Sequence, residues 1–426
     1  MKKTMKFHPF GTIIFSAIIL SLFSPTAFCQ VNWIQQNSNT TAILWAIQFL
    51  DANNGYACGE TGTVVKTTDG GTTWFAVNIS TPNPVKDIFF ITASEGWAAV
   101  GDVNNSTGSG EIWHTIDGGL SWAQQTPSTT EARLGVAMAS SSTGWVVGSK
   151  NGPLNIDATV NGGTNWTNQT DANIFGWTYK IDALSATTAF VIGRAFFPSV
   201  TGFIIKTANG GNTWTQNNTG TIPFLNGMDM VNADTGFVAG DAGTIMTTTD
   251  GGTSWTNQTS GTTDTLEDVS FVSSSSGWAC GFSGTIRRTV DGGSNWTGET
   301  SGVPEALHSV FALDTTTVWA AGSNGKIIKR TVGTGIAENN NAFSGTVNIF
   351  PNPSHSEIVF DLTPFVSGKE SLRLKIYSAD GKEIAAVNNI IGSSCRISTG
   401  GFSKGTYLYV LQSRKRNLVS GKLVIE

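Results

Sequence analysis

One eight-residue phrase recurs six times in this 426-residue chain, and its spacing constrains the fold more than any other feature. The copies are TTDGGTTW (67–74), TIDGGLSW (115–122), TVNGGTNW (159–166), TANGGNTW (207–214), TTDGGTSW (248–255) and TVDGGSNW (289–296). Their terminal tryptophans lie 48, 44, 48, 41 and 41 residues apart. A unit this short cannot bury a core by itself, so the copies must pack against one another. A second phrase precedes each copy: apolar alternation, a turn, then Gly-aromatic-small-small-Gly. Examples are GYACG (55–59), GWVVG (144–148), GFVAG (236–240) and GWACG (277–281). A tight hairpin then leads to strands such as GTIMTT (243–248). Each unit reads as four short strands, the pattern of a β-propeller blade.

The count predicts seven blades over residues 30–332. Residues 308–331 hold three strands with no box after them, and Trp33 heads a lone strand with no blade before it. Pairing the two completes a last blade and closes the ring, which removes the exposed edges that invite aggregation. Composition agrees. The 14 Trp and 24 Phe are too many for a disordered chain, and 50 Gly with 13% charged residues suit tight turns between packed strands. The fold class is therefore all-β: a seven-bladed propeller, followed by a small sandwich described below.

The first 29 residues read as a secretory signal peptide. Lys2, Lys3 and Lys6 precede a short apolar run, Ile13 to Phe23, and Ala27-Phe28-Cys29 offers a cleavage site that leaves Gln30 first. A lipidated Cys29 is the alternative, which bulky Phe28 fits poorly. No later segment reads as membrane-spanning. Cys58, Cys280 and Cys395 remain, an odd and widely spaced set that argues against a disulfide framework or a zinc site. The formal net charge of −5 lacks the basic footprint of a nucleic-acid binder.

The repeated phrase resembles the Asp-box of bacterial neuraminidase repeats. Its Asp can accept hydrogen bonds from its own turn, its second Gly supplies a backbone conformation that a Cβ hinders, and its Trp starts the outer strand. The residues are Asp69 and Trp74, Asp117 and Trp122, Asn161 and Trp166, Asn209 and Trp214, Asp250 and Trp255, and Asp291 and Trp296. Six calcium or catalytic sites are one reading; six identical structural turns are the simpler one, since no catalyst is needed six times around a ring. The whole unit, with GW..G, GTI..T and TxDGGxxW in series over residues 31–332, resembles the photosystem II stability/assembly factor family of seven-bladed propellers. That resemblance implies a non-enzymatic binding or assembly scaffold without cofactor or metal.

An enzyme reading finds less support. A sialidase needs an arginine triad, a Tyr nucleophile with a Glu partner and an Asp acid/base. The propeller has five Arg, three of them on third strands beside the boxes, and only Tyr56 and Tyr179 as tyrosines. Xyloglucan hydrolases of this kind use two facing propellers, and this chain has one. A surface glycoside hydrolase, sialidase-like or xyloglucanase-like, and an adhesin stay as alternatives.

Repeated positions serve the fold, whereas positions that vary between blades are released from it. Counting back ten residues from the position aligned with the first Gly of the second phrase gives Trp45, Lys86, Leu134, Tyr179, Asn226, Glu267 and His308, with Arg133 beside Leu134. These precede each inner strand and are expected to ring one mouth of the central channel, where a protein or glycan ligand would sit. Blades two, three and four carry longer hairpins, 102–109, 149–157 and 194–201, expected to form one raised sector. Arg194, Phe196 and Phe197 make the last of these a candidate contact patch.

Residues 333–344 read as a linker. Beyond it, NIFPNPSHSEIVFDL (348–362), LRLKIYSADGKEI (372–384), GTYLYVLQ (405–412) and GKLVIE (421–426) describe a small β-sandwich. The Pro351-Asn352-Pro353 turn, the Asp380-Gly381 hairpin, Gly405-x-Tyr407 and an apolar last strand resemble the type A C-terminal sorting domain of type IX secretion, here residues 345–426. The resemblance implies type IX machinery as a partner and a secreted or surface location. The propeller carries 12 Lys and Arg against 23 Asp and Glu over 30–335, and the tail 10 against 6 over 345–426, so the mild net charge averages an acidic and a basic module.

Overall fold

The computed structural model describes residues 31–102, 110–148, 154–169, 175–197, 200–216, 222–332, 347–354, 356–365, 371–378, 382–413 and 417–426. The expected signal peptide and linker, most of the hairpins of blades two and three, and the Phe197 side chain lie outside them. Contacts divide the chain into a larger unit, Val31–Gly333, and a smaller one that holds Thr334–Glu426.

The larger unit is seven antiparallel sheets of four strands, each running from the inside of the ring outwards. Blade one is Leu44–Phe49, Gly55–Gly59, Thr63–Thr67 and Phe75–Asn78. Blades two to six repeat this order and begin at Val85, Gly135, Phe175, Leu225 and Leu266. Blade seven takes Leu307–Ala312, Val318–Gly322 and Ile327–Val332 from the end of the unit and Val31–Gln36 from its beginning. Val31 pairs with Val332 and Gln36 with Ile327, so the first strand closes the ring as the residue count requires.

Two aromatic positions per repeat make the packing between blades. The aromatic of the second phrase stacks on a Phe that ends the next blade's first strand: Tyr56 on Phe90 at 3.7 Å, Phe237 on Phe271 at 3.6 Å, and Trp319 on Phe49 at 3.5 Å across the closure. The box Trp of that next blade meets the same Phe edge-on, as Trp74 does Phe49 and Trp296 does Phe271. Trp97, Trp145, Trp278 and Trp319 are completely or almost completely buried, which explains a chain rich in Trp yet short of long apolar runs.

Each box closes on itself. The Asp69 carboxylate accepts from the Thr73 backbone N–H (2.9 Å), Thr73 Oγ1 (2.7 Å) and Thr67 Oγ1 (2.9 Å), while Thr67 Oγ1 accepts from the Gly71 N–H (2.9 Å). Gly71 holds φ +89, and a Cβ there would fall 2.0 Å from Gln36 Oε1. That Gln belongs to the outer strand of the preceding blade. Its amide donates to the Gly70 carbonyl at 3.2 Å and accepts from Trp74 Nε1 at 3.3 Å. Gln125 treats Gly162 and Trp166 alike, and Gln258 does so for Gly292 and Trp296. The latching residue stands three after the preceding blade's Trp.

Blade seven has no box to latch, and the equivalent residue of blade six is Glu299. Its carboxylate accepts from Trp33 Nε1 (2.9 Å) and from Arg330 Nε (3.0 Å) and Nη2 (3.1 Å). The Arg330 side chain is 1% exposed. A buried ion pair thus stands at the latch position where blade six meets the boxless blade seven.

The smaller unit packs a three-stranded sheet, Asn348–Phe350, Glu357–Asp361 and Ser394–Ser398, on a four-stranded one, ordered Glu383–Ile390, Leu372–Ser378, Gly405–Gln412 and Asn417–Ile425. Phe360, Leu374, Ile376, Leu411 and Leu423 fill its core. It is the small sandwich that the alternating runs predict.

Candidate functional site

The first strands of the blades begin at one mouth of the central channel. In six blades the register slips there by one residue. The slipped residue is Trp45, Lys86, Tyr179, Asn226, Glu267 or His308. A bulge adds an unpaired residue and re-aims its side chain. All six line a single funnel of about 640 Å³ together with Leu134 of blade three, whose first strand has no such slip. The funnel also holds Glu60, Asp102, Trp177, Arg194, Asp241 and Phe282.

Its wall is built of paired charges and aromatic faces. Lys86 Nζ sits 3.1 Å from Glu60 and 3.8 Å from the centre of the Trp45 ring, and Trp45 Nε1 donates to Glu60 at 2.7 Å. Burial pulls the Lys86 ammonium below its ordinary range, against the pull of Glu60. His308 lies 4.6 Å from Trp45 and 3.6 Å from Glu267. Across the funnel, Arg194 stacks on Phe224 at 3.6 Å and approaches Asp241 at 4.0 Å. Burial raises the Tyr179 phenol.

Three of the sequence-selected residues behave differently from the rest. Arg133 is not at the mouth. It is wholly buried, 2.8 Å from Asp157, and donates to the Glu131 and Thr129 carbonyls. Consecutive residues of an extended chain point to opposite sides, so a neighbour of channel-facing Leu134 turns into the protein. Phe196 and Phe197 belong to the strand Ala189–Phe197 rather than to a free loop. Phe196 is 38% exposed and meets Trp177 edge-on at 5.2 Å, so it buttresses the funnel wall. Arg194 of the same strand does line the funnel. The third strand of blade three is Asn155–Thr159, which shortens the hairpin expected over 149–157.

Sequence reasoning missed the residues one step below the ring. Asp87, Lys180 and Asp268 line both the funnel and a second chamber of about 330 Å³ beneath it, and so form the waist of the channel. The carboxylates there serve the fold. An innermost strand has an unpaired edge whose N–H groups need acceptors. Asp87 takes the Val136 N–H (3.1 Å), Asp268 that of Val310 (3.1 Å), Asp182 that of Met230 (2.8 Å) and Asp229 that of Phe271 (2.5 Å). Burial opposes the Lys180 charge, but Asp268 and Asp87 outweigh it and raise the ammonium. Burial, then neighbouring Asp182, pushes Asp229 up to about 7. The available signal was an Asp interrupting the apolar inner strands of blades two, four, five and six.

Comparisons with known proteins agree with this architecture. Residues 72–229 match the family model for photosynthesis system II assembly factor YCF48, and residues 348–426 match that for the secretion system C-terminal sorting domain. The chain is thus similar to the YCF48 family over part of its propeller and to the secretion sorting domain over its tail. Its tail marks it as a secreted or cell-surface protein of the type IX route. Among solved structures, YCF48 bound to a D1 peptide is 19% identical with a TM-score of 0.58 (71% of this chain, 95% of that one). YCF48 from Cyanidioschyzon merolae gives 20% and 0.57 (70% and 99%). The GH74 enzyme of Niastella koreensis gives 14% and 0.56 (91% and 74%). At these identities the likeness is one of fold. No curated protein matches the chain in sequence. Among the described residues, no helix is long and apolar enough to cross a membrane.

Proposed function

We propose that this exported propeller is a non-enzymatic binding module whose funnel holds a peptide segment of a partner protein. The observation that supports it most is convergence. Seven residues that vary from blade to blade meet in one concave, aromatic and charged funnel, whereas the Asp-box carboxylates that repeat are consumed by their own turns. The peptide seen on a YCF48 propeller is consistent with such use of the fold. The carboxylates that burial raises, Asp87, Asp182 and Asp229, all accept backbone N–H groups, which leaves them poorly placed as glycosidic acids. A displayed peptide library panned against the full chain and against a Lys86→Ala/Tyr179→Ala/Glu267→Ala variant tests the reading. Sequences enriched only by the unaltered chain support it. Equal enrichment by both sinks it, and release of oligosaccharides from xyloglucan by the unaltered chain sinks its non-enzymatic part.

A further inference from the structure

The charge of the funnel is lopsided. Six carboxylates line it against three cations, Lys86, Lys180 and Arg194. Each cation already faces a carboxylate: Lys86 with Glu60 at 3.1 Å, Lys180 with Asp87 at 3.9 Å and Arg194 with Asp241 at 4.0 Å. Glu267 is different. Among the described residues its carboxylate accepts no hydrogen bond, and the group nearest to pairing with it is His308 Nδ1 at 3.6 Å. The His308 side chain is only 9% exposed, its Nε2 lies 3.0 Å from Ser323 Oγ, and its Nδ1 has no hydrogen-bond partner. An acceptor-only carboxylate and a buried ring nitrogen therefore stand together in the funnel with bonding capacity unused. Trp45 packs beside them and already carries one cation, Lys86, over its ring.

This step rests on the funnel being a peptide site. We propose that the funnel selects a basic side chain, the lysine or arginine of a bound peptide, whose charge is accepted by Glu267 and whose aliphatic stem lies along Trp45 and Tyr179. An ammonium or guanidinium donates to Glu267 Oε, and the excess of carboxylates draws it in. A carboxylate-bearing peptide meets the same surface with repulsion.

The test titrates the full chain calorimetrically with acetylated and amidated Gly-Gly-X-Gly-Gly peptides in which X is Lys, Arg, Glu or Ala. The Lys or Arg peptide is expected to bind at least about ten-fold more tightly than the Glu and Ala peptides. Glu267→Gln is expected to remove that advantage with an unchanged unfolding midpoint, and Glu357→Gln on the sandwich to keep it. Equal affinity for the Glu peptide, or a Glu267→Gln variant that still prefers the basic peptides, overturns the proposal. Neutral or acidic peptides that bind and are lost in Tyr179→Ala overturn the charge preference while the peptide reading stands. No binding of any peptide at roughly millimolar concentration overturns both.

Discussion

Replacing Glu299 by the glutamine that other blades use should weaken the propeller, not repair it. In those blades the glutamine faces a box; here it would face Arg330. The guanidinium is 1% exposed and sends three of its hydrogen bonds to Glu299 and one to the Thr315 carbonyl at 3.0 Å. Breaking one side of such a buried pair costs about 3–5 kcal/mol, because the remaining charge stays desolvated. Glutamine keeps one oxygen for Trp33 Nε1, which puts the expected loss at the lower end, about 3 kcal/mol. Adding Arg330→Met to Glu299→Gln removes the stranded charge and should recover about 2 kcal/mol of it. Urea unfolding at neutral pH, followed by tryptophan fluorescence over the four-variant cycle, measures both numbers. Hydrogen exchange should localise the loss to faster opening of Val31–Gln36. A single-variant loss below about 1 kcal/mol, or a double variant that is merely additive, would refute the idea that this pair replaces the missing latch.

Three further outcomes are expected. Hydrogen bonds hold Asp69, Asp117 and Asp250 down to about 2, the Thr73 or Ser254 and Ser121 groups contributing most, so their stabilisation is complete above about pH 4 and fades as pH falls towards 2. Urea midpoints between pH 2.5 and 6 should show this, and Asp117→Asn, which copies the Asn161 box, should flatten the curve. Asp229 has the opposite sign: its raised value favours the fold below about pH 4 and this contribution is lost as pH rises through about 7, so Asp229→Asn should gain on the unaltered chain with rising pH in the same assay. Burial raises the Cys58 and Cys280 thiols well above the ordinary range, so both should resist a thiol reagent at pH 8 in the folded chain and react on unfolding, with mass spectrometry reading the modified sites.

Much of the ring could be read from the chain because each blade repeats the same packing problem. The boxes place the outer turns, Trp33 betrays the closing strand, and counting back from GW..G reaches the funnel in every blade. The counting works because the first hairpin closes over the same length in all seven blades, so the distance along the chain stays fixed. The bulge in six of them hides the waist. Alternation assigns Asp87 and Asp268 to the opposite side from Lys86 and Glu267, and a register slip is what lets neighbours share one channel. Arg133 failed for the converse reason: blade three has no slip, so ordinary alternation holds and its side chain turns to Asp157. In the sequence Glu299 is one more outer-strand residue, since its partner Arg330 lies on the far side of a closure that only assembled sheets reveal.

The pairing of Val31 with Val332 makes the ring a belt with one buckle. Cleavage in a hairpin elsewhere leaves both cut ends held in the same sheet, flanked by intact blades, so a nicked propeller should stay assembled. Loss of the closing strand Val31–Gln36 alone is graver. It strips Ile327–Val332 of its outer partner, exposes a row of unpaired amides and carbonyls, and strands Arg330 and Glu299 together at a new edge. Removal of Val31–Gln36 would turn a closed ring into a chain that recruits strands from its neighbours.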